Sequence, residues 1–226
     1  MKKLAQALPA VSSAARQFIR KMKKSNRGFT GSGDYWKSRY STGGNSGDGS
    51  YNELARFKAE QLNDFVQSKG IRSVIEYGCG DGNQLKLAGY PAYIGFDVSE
   101  TAVGICRSAF ADDRSKSFKT VDHYDGETAE LTLSLDVVYH LVEDSVFEGY
   151  MHRLFDSSTG YVIVYSSNTD ENPAKRPDHV RHRRFTDWVQ REKPNWALRS
   201  HVPNKYPYRD DTKTGSSADF YFFEKS

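Results

Sequence analysis

At 226 residues, with 37% hydrophobic and 13% aromatic side chains, the chain can build one well-buried domain and is too short for two large ones. No stretch approaches the ~18 uninterrupted apolar residues that a bilayer crossing needs, and Cys79 and Cys106 form neither a C-x-x-C pair nor a disulfide framework, which points to a reducing cytoplasm. Residues 1–27 hold eight Lys or Arg and no acid; removing these from the 32 basic residues leaves 24 against 29 acidic ones, a balance of −5 that argues against nucleic-acid binding by the main domain.

Leu4, Leu8, Val11, Ala15, Phe18 and Met22 recur at steps of four and three, which places them on one helical stripe. Pro9 interrupts that stripe, so the spacing predicts a basic amphipathic helix from about Val11 to Lys24. Such a helix can rest on an anionic membrane at the inner face, or pack on the body or on a second copy. Gln6 and Pro9 break the apolar run too early for a cleaved signal peptide. The segment 1–34, with Gly28 to Gly33 as a flexible joint, is thus set apart from a domain at 35–226. That domain opens on Tyr35-Trp36-Lys37-Ser38-Arg39-Tyr40 and a glycine-rich loop, Gly43 to Gly49.

Ser50-Tyr51-Asn52-Glu53 has the form of a capping box, ahead of a helix whose buried face is Leu54, Phe57, Leu62, Phe65 and Val66 and which ends at Gly70. Val74 and Ile75 open a buried strand that runs into Glu76-Tyr77-Gly78-Cys79-Gly80-Asp81-Gly82 and an expected helix. The glycines allow a ligand to lie against the main chain. A dinucleotide loop would be G-x-G-x-x-G, with a third glycine where Asn83 stands, and Glu76 beside the loop suits an ammonium or sulfonium rather than a phosphate. Asp97 follows Glu76 by 21 residues, at the end of the apolar run Tyr93-Ile94-Gly95-Phe96, where a carboxylate can accept both hydroxyls of a ribose.

Ser99 caps a helix through Ala102, Val103, Cys106 and Phe110; Ser117 to Val121 reads as a third strand, ending at Asp122. Leu131 to Leu135 is the fourth, ending at Asp136, and Val137-Val138-Tyr139-His140-Leu141 then enters the ligand side of the sheet. A helix around Val146 to Leu154 and a buried strand Tyr161 to Tyr165 complete an α/β alternation that predicts a parallel, doubly wound sheet. After a helix at Thr186 to Gln190, Trp196 to Val202 and Ala218 to Glu224 are two strands with no helix between them.

Glu76 to Gly82 followed by Asp97 resembles the signature of class I S-adenosylmethionine-dependent methyltransferases. The resemblance spans about residues 35–226 and implies a Rossmann-like, seven-stranded, mostly parallel sheet with a C-terminal antiparallel hairpin and helices on both faces. It implies S-adenosylmethionine as cofactor and S-adenosylhomocysteine as product, contacted by Glu76, Gly78, Cys79, Gly80, Asp97, Val98, Leu135 and Trp36. Asp122 is expected at the adenine amine, and Arg39 at the methionine carboxylate. Residues 35–50 resemble a lid that folds over cofactor and acceptor.

Tyr35-Trp36 to Tyr40, Tyr139 to Asp144 and His179 to Arg184 further resemble bacterial methyltransferases associated with glycan and surface-polysaccharide biosynthesis. The expected reaction is O-methylation of a sugar or sugar-phosphate acceptor; another small metabolite or a peptide, or a catalytically silent cofactor-binding partner subunit, are the rivals. An alcohol acceptor must lose its proton, and His140 is the first candidate base, with His179 and His182 behind it. The basic loop 168–184 offers Arg181, Arg183 and Arg184 to an anionic group on the acceptor. His179 and His182 with Asp178 lack a third ligand, so no metal is expected.

Overall fold

A computed structural model describes residues 29–226; the expected basic helix at 11–24 lies outside them. In chain order the elements are α1 (Ser32–Ser41), α2 (Asn52–Lys69), β1 (Val74–Tyr77), β2 (Tyr93–Asp97), α3 (Glu100–Ala109), β3 (Lys116–Thr120), β4 (Ala129–Leu135), α4 (Asp144–Asp156), β5 (Ser158–Ser166), α5 (Phe185–Glu192), β6 (Trp196–Val202) and β7 (Asp219–Lys225). The seven strands form one sheet in the order β3-β2-β1-β4-β5-β7-β6, with β1 to β5 parallel and β7 antiparallel to both β5 and β6. This is the expected doubly wound sheet with its closing hairpin.

Period-two alternation divides the strand side chains between two apolar layers. Val74, Leu131, Leu133, Ile163 and Phe220 meet α2 and α3 on one face. Ile75, Val162, Val164, Tyr221 and Phe223 meet α4 and α5 on the other. With both faces covered, β1 is buried along its whole length, and each of its aliphatic side chains contributes about 1.5–3 kcal/mol. The chain winds outward through β1, β2 and β3, then returns to lay β4 against β1. That reversal opens a crevice at the carboxyl ends of β1 and β4.

Several local expectations hold in detail. Ser99 Oγ accepts from the Ala102 N–H at 3.3 Å to cap α3, and Gly70 takes the left-handed conformation (φ 62°) that ends α2. Others do not. The Ser50–Glu53 box is not formed: Tyr51 is the N-cap residue and Glu53 pairs with Arg56 on the surface. After the glycine loop the chain makes one 3-10 turn, Gln84–Leu87, rather than a helix, because Gly89 and Pro91 turn it at once into β2. Any ligand there meets turn amides and side chains instead of a helix dipole. Gly31 to Gly33 is also no free joint. The Ser32 hydroxyl donates to Glu143 Oε2 at 2.6 Å and its N–H to Oε1 at 2.9 Å, which pins the start of α1 beside α4.

Candidate functional site

The crevice is a cavity of about 320 Å³ whose wall gathers residues from six elements and the loops between them. Its inner end is the glycine loop. Gly78, Gly80 and Gly82 all have positive φ (88°, 58° and 73°), a region that costs an L side chain strain. Space forbids one as well: a Cβ on Gly78 would stand 2.4 Å from Val137 Cγ2, and one on Gly80 2.3 Å from Ser46 Oγ.

Two buried carboxylates face this loop. Asp97 Oδ2 accepts from the Gly80 N–H at 3.0 Å and Oδ1 from the Ser99 N–H at 2.8 Å, so the carboxylate is fixed in direction while each oxygen keeps a lone pair. Burial pushes its pKa up to about 6, against those backbone donors. Glu76 Oε2 accepts from the Tyr93 hydroxyl at 2.6 Å, and burial raises Glu76 to about 7, opposed by that bond and by the Lys58 charge. Both groups are therefore costly to ionise in the free protein and gain when a cation arrives. Cys79 lies in the same wall with its thiol pKa held well above the usual range, first by the hydrogen bond with Cys106 and then by burial, which leaves it inert.

α1 and its following loop close the cavity from above. Ser46 is the latch: its hydroxyl donates to Asp81 Oδ1 at 2.8 Å, accepts from the Asp81 N–H at 3.0 Å and lies 2.9 Å from the Tyr40 hydroxyl. Since the single Ser46 proton goes to Asp81, Tyr40 is the donor in that last bond. Trp36 reaches the wall, its ring meeting His140 edge-on at 4.9 Å.

His140 follows β4 on a short 3-10 turn and lines the outer half of the cavity. Its Nδ1 lies 2.9 Å from the His179 carbonyl, which can only accept, so Nδ1 carries the proton and Nε2 keeps its lone pair. Burial lowers its pKa to about 4, so the ring is neutral at physiological pH with Nε2 unprotonated.

Of the residues singled out from sequence, Trp36, Glu76, Gly78, Cys79, Gly80, Asp97, Val98, Leu135 and His140 line this one cavity. The others are placed elsewhere. Arg39 is turned away: its guanidinium donates to the Asn45 backbone and side-chain oxygens and lies over Trp36 at 5.6 Å, which braces the lid loop. Asp122 is exposed in a separate open groove with Arg107 and Lys119, and Val121 takes its place in the cavity wall. His179 stacks on Tyr35 at 4.1 Å behind His140, and His182 Nδ1 bonds Ser167 Oγ at 2.7 Å. Arg181 and Arg183 both pair with Asp144 and donate to the Val142 carbonyl; Arg183 also bonds the Leu141 carbonyl, so both brace the turn into α4 instead of forming an open clamp. Arg184 is exposed.

Lys58 and Gln84 are among the wall residues that the sequence did not single out. Lys58, 1% exposed, pairs with Asp136 Oδ2 at 2.6 Å, while Asp136 Oδ1 accepts from the Tyr139 hydroxyl at 2.8 Å. Asp136 sits in left-handed backbone (φ 59°) at the tip of β4, a strained position for a residue with a side chain. Gln84 donates its amide to the Ala55 carbonyl at 3.0 Å, and its Oε1 has no partner. The available signal for Lys58 was position: with Leu54 and Leu62 it falls on the apolar stripe of α2, where a lysine has no business in solvent. Gln84 had none.

No protein-family model and no curated protein sequence matches the chain. Solved structures do. N-methyltransferase NodS from Bradyrhizobium japonicum WM9, in complex with S-adenosylhomocysteine, superposes with a TM-score of 0.65 at 15% identity, over 86% of this chain and 98% of NodS. Magnesium protoporphyrin IX methyltransferase (ChlM) from Synechocystis PCC 6803, with bound S-adenosylmethionine, gives 0.57 at 14% identity over 97% of this chain and all of ChlM (100%). The methyltransferase domain of bacterial CtHen1-C gives 0.57 at 20% identity, over 74% of this chain and 96% of that domain. The fold is therefore the class I methyltransferase fold. At these identities the likeness speaks for architecture, and function has to be argued from the site.

Proposed function

We propose that the chain is an S-adenosylmethionine-dependent methyltransferase that methylates a hydroxyl oxygen of a small acceptor, a sugar or sugar phosphate, leaving S-adenosylhomocysteine as product. The observation that carries the cofactor reading is the inner end of the cavity. Three glycines there leave room that a Cβ would fill, and two carboxylates with raised pKa values border the space. The structural neighbours crystallised with this cofactor or its product support the same reading.

When bound, the cofactor supplies an electrophilic methyl group on a positively charged sulfur. Asp97 would hold the ribose hydroxyls on the lone pairs that Gly80 and Ser99 leave free. Val98, Val121 and Leu135 give the apolar bed that suits an adenine ring. Glu76, ionised, would balance the ligand's positive charge. At the outer end, His140 Nε2 is the acceptor for the proton that an alcohol must lose as its oxygen attacks, and its tautomer is fixed by His179. α1, latched through Ser46, keeps water from this space, so positioning supplies much of the rate.

The sugar acceptor follows from the sequence resemblance and from Trp36, a flat apolar surface beside His140. With Arg181 and Arg183 committed to Asp144, neither is open to clamp an acceptor phosphate. The negative balance of residues 28–226 argues against a nucleic-acid acceptor. Among the described residues no helix is long and apolar enough to cross a membrane. The test is transfer of labelled methyl from S-adenosylmethionine onto a panel of sugars, sugar phosphates, nucleotide sugars and glycolipids. Label on a sugar oxygen is expected; label only on amines or peptides would overturn the acceptor class. Cofactor binding with no transfer to any acceptor would favour a partner subunit.

A further inference from the structure

We infer that Lys58 and Gln84 form a receptor for a free α-amino-acid group, with Lys58 taking its carboxylate and Gln84 its ammonium. The inference rests on the cofactor reading above and assigns the end of the ligand that the glycine loop and Asp97 leave unread.

Among the described residues, Lys58 is the one lysine or arginine in the cavity wall. Arg39, the sequence candidate for a carboxylate, is held outside by Asn45. An ammonium has three protons to place, and a buried one is costly to leave short of partners. Lys58 Nζ has one hydrogen bond among the described residues, to Asp136, and otherwise lies over the Tyr165 ring at 5.2 Å. Asp136 also accepts from the Tyr139 hydroxyl, which fixes the carboxylate that Lys58 pairs with. The arrangement leaves donor capacity beside open space.

Gln84 supplies the opposite sign. It is 8% exposed, and its orientation is settled by the Ala55 carbonyl, which can only accept and so must face the amide nitrogen. Oε1 is then an orphaned buried acceptor in the cavity wall. Ala55 and Lys58 are three residues apart on α2, so the carbonyl that anchors Gln84 and the lysine lie on the same helix face, one turn apart. Glu76, whose pKa the Lys58 charge lowers, adds a carboxylate to the same corner. A carboxylate and an ammonium on one carbon can meet the Lys58 donors and the orphaned Gln84 oxygen together. A nucleoside thioether without an amino-acid end meets neither.

The test is calorimetric binding of S-adenosylhomocysteine and of 5′-methylthioadenosine, which keeps the nucleoside and lacks the amino-acid end. Wild-type protein should prefer the former by ~100-fold or more, the worth of two charge-assisted contacts. In Lys58→Met combined with Asp136→Asn, which avoids stranding a buried carboxylate, the preference should shrink to under ~10-fold while methylthioadenosine binds within about threefold of wild type. Gln84→Leu, nearly isosteric, should cost ~10-fold of the preference, and it decides the matter alone if the double variant does not fold. An unchanged preference, or equal weakening of both ligands, would overturn the assignment and leave the cofactor reading standing. Wild-type protein that binds neither ligand would overturn both.

Discussion

The two ends of the cavity are built differently. The inner end comes from the tips of β1 and β2 and the turn between them: its glycines, Glu76 and Asp97 lie within 22 residues of one another, and the backbone does much of the shaping. The outer end is assembled from α1, the turn after β4 and the loop before α5, joined by bonds such as Ser32 to Glu143, 111 residues apart. The first is specified by local conformation. The second exists only once the sheet is closed, so its residues can change without disturbing the nucleoside site. Such a division lets one fold keep its inner end while the outer end varies.

If the outer end does the proton transfer and the inner end holds the cofactor, His140→Ala should separate them. We expect kcat to fall by roughly 100- to 1,000-fold in single-turnover assays, with the cofactor dissociation constant changed by less than about threefold. A variant of full activity would remove His140 as base. The converse substitution is Gly80→Val, which places a side chain at φ 58° against Ser46. Calorimetry should show cofactor affinity lost by ~100-fold or more, together with a loosened lid that nicks faster in limited proteolysis.

Acidity probes the inner end alone. Burial raises Glu76 to about 7 and Asp97 to about 6, so the free protein holds protons that a cationic ligand must displace. Affinity should therefore strengthen as pH rises through about 6 to 7 and level off above, roughly tenfold in all between pH 5 and 8. S-adenosylmethionine, with its sulfonium, should show the steeper dependence, and Glu76→Gln should flatten the upper part. The same shifts act on stability with the opposite sense. A raised carboxylate pKa means that the folded state binds more protons than the unfolded one between the two values, so these groups lower stability as pH climbs from about 4 to 7.

The smallest effect belongs to the frame of the outer end. Arg183→Ala removes hydrogen bonds to the Leu141 and Val142 carbonyls and should cost about 1–2 kcal/mol in denaturant unfolding. Cofactor affinity should be unchanged.

The same division governs how much could be read from the chain. The parallel sheet, its closing hairpin and the residues that gather at the inner end were legible, because apolar runs and glycine spacing encode backbone conformation directly. The basic loop was not: Arg181 and Arg183 look like an anion clamp until Asp144, 37 residues or more before them, is seen to occupy both. Asp122 was displaced by one position, with Val121 facing the cavity as β3 ends at Thr120. Lys58 showed only as a charge on an apolar stripe, a signal that looks the same whether the lysine is buried or snorkels to the surface. Gln84 was hidden because the helix expected after the glycine loop would have set its direction differently.

Titration of S-adenosylhomocysteine into wild-type protein and into Asp97→Ala decides whether the crevice holds the cofactor through its β2 carboxylate. One-to-one binding is expected, weakened by ~30- to 100-fold in the variant, whose unfolding temperature stays close to that of wild type. Absence of binding to wild-type protein, or equal affinity for both proteins, would contradict it.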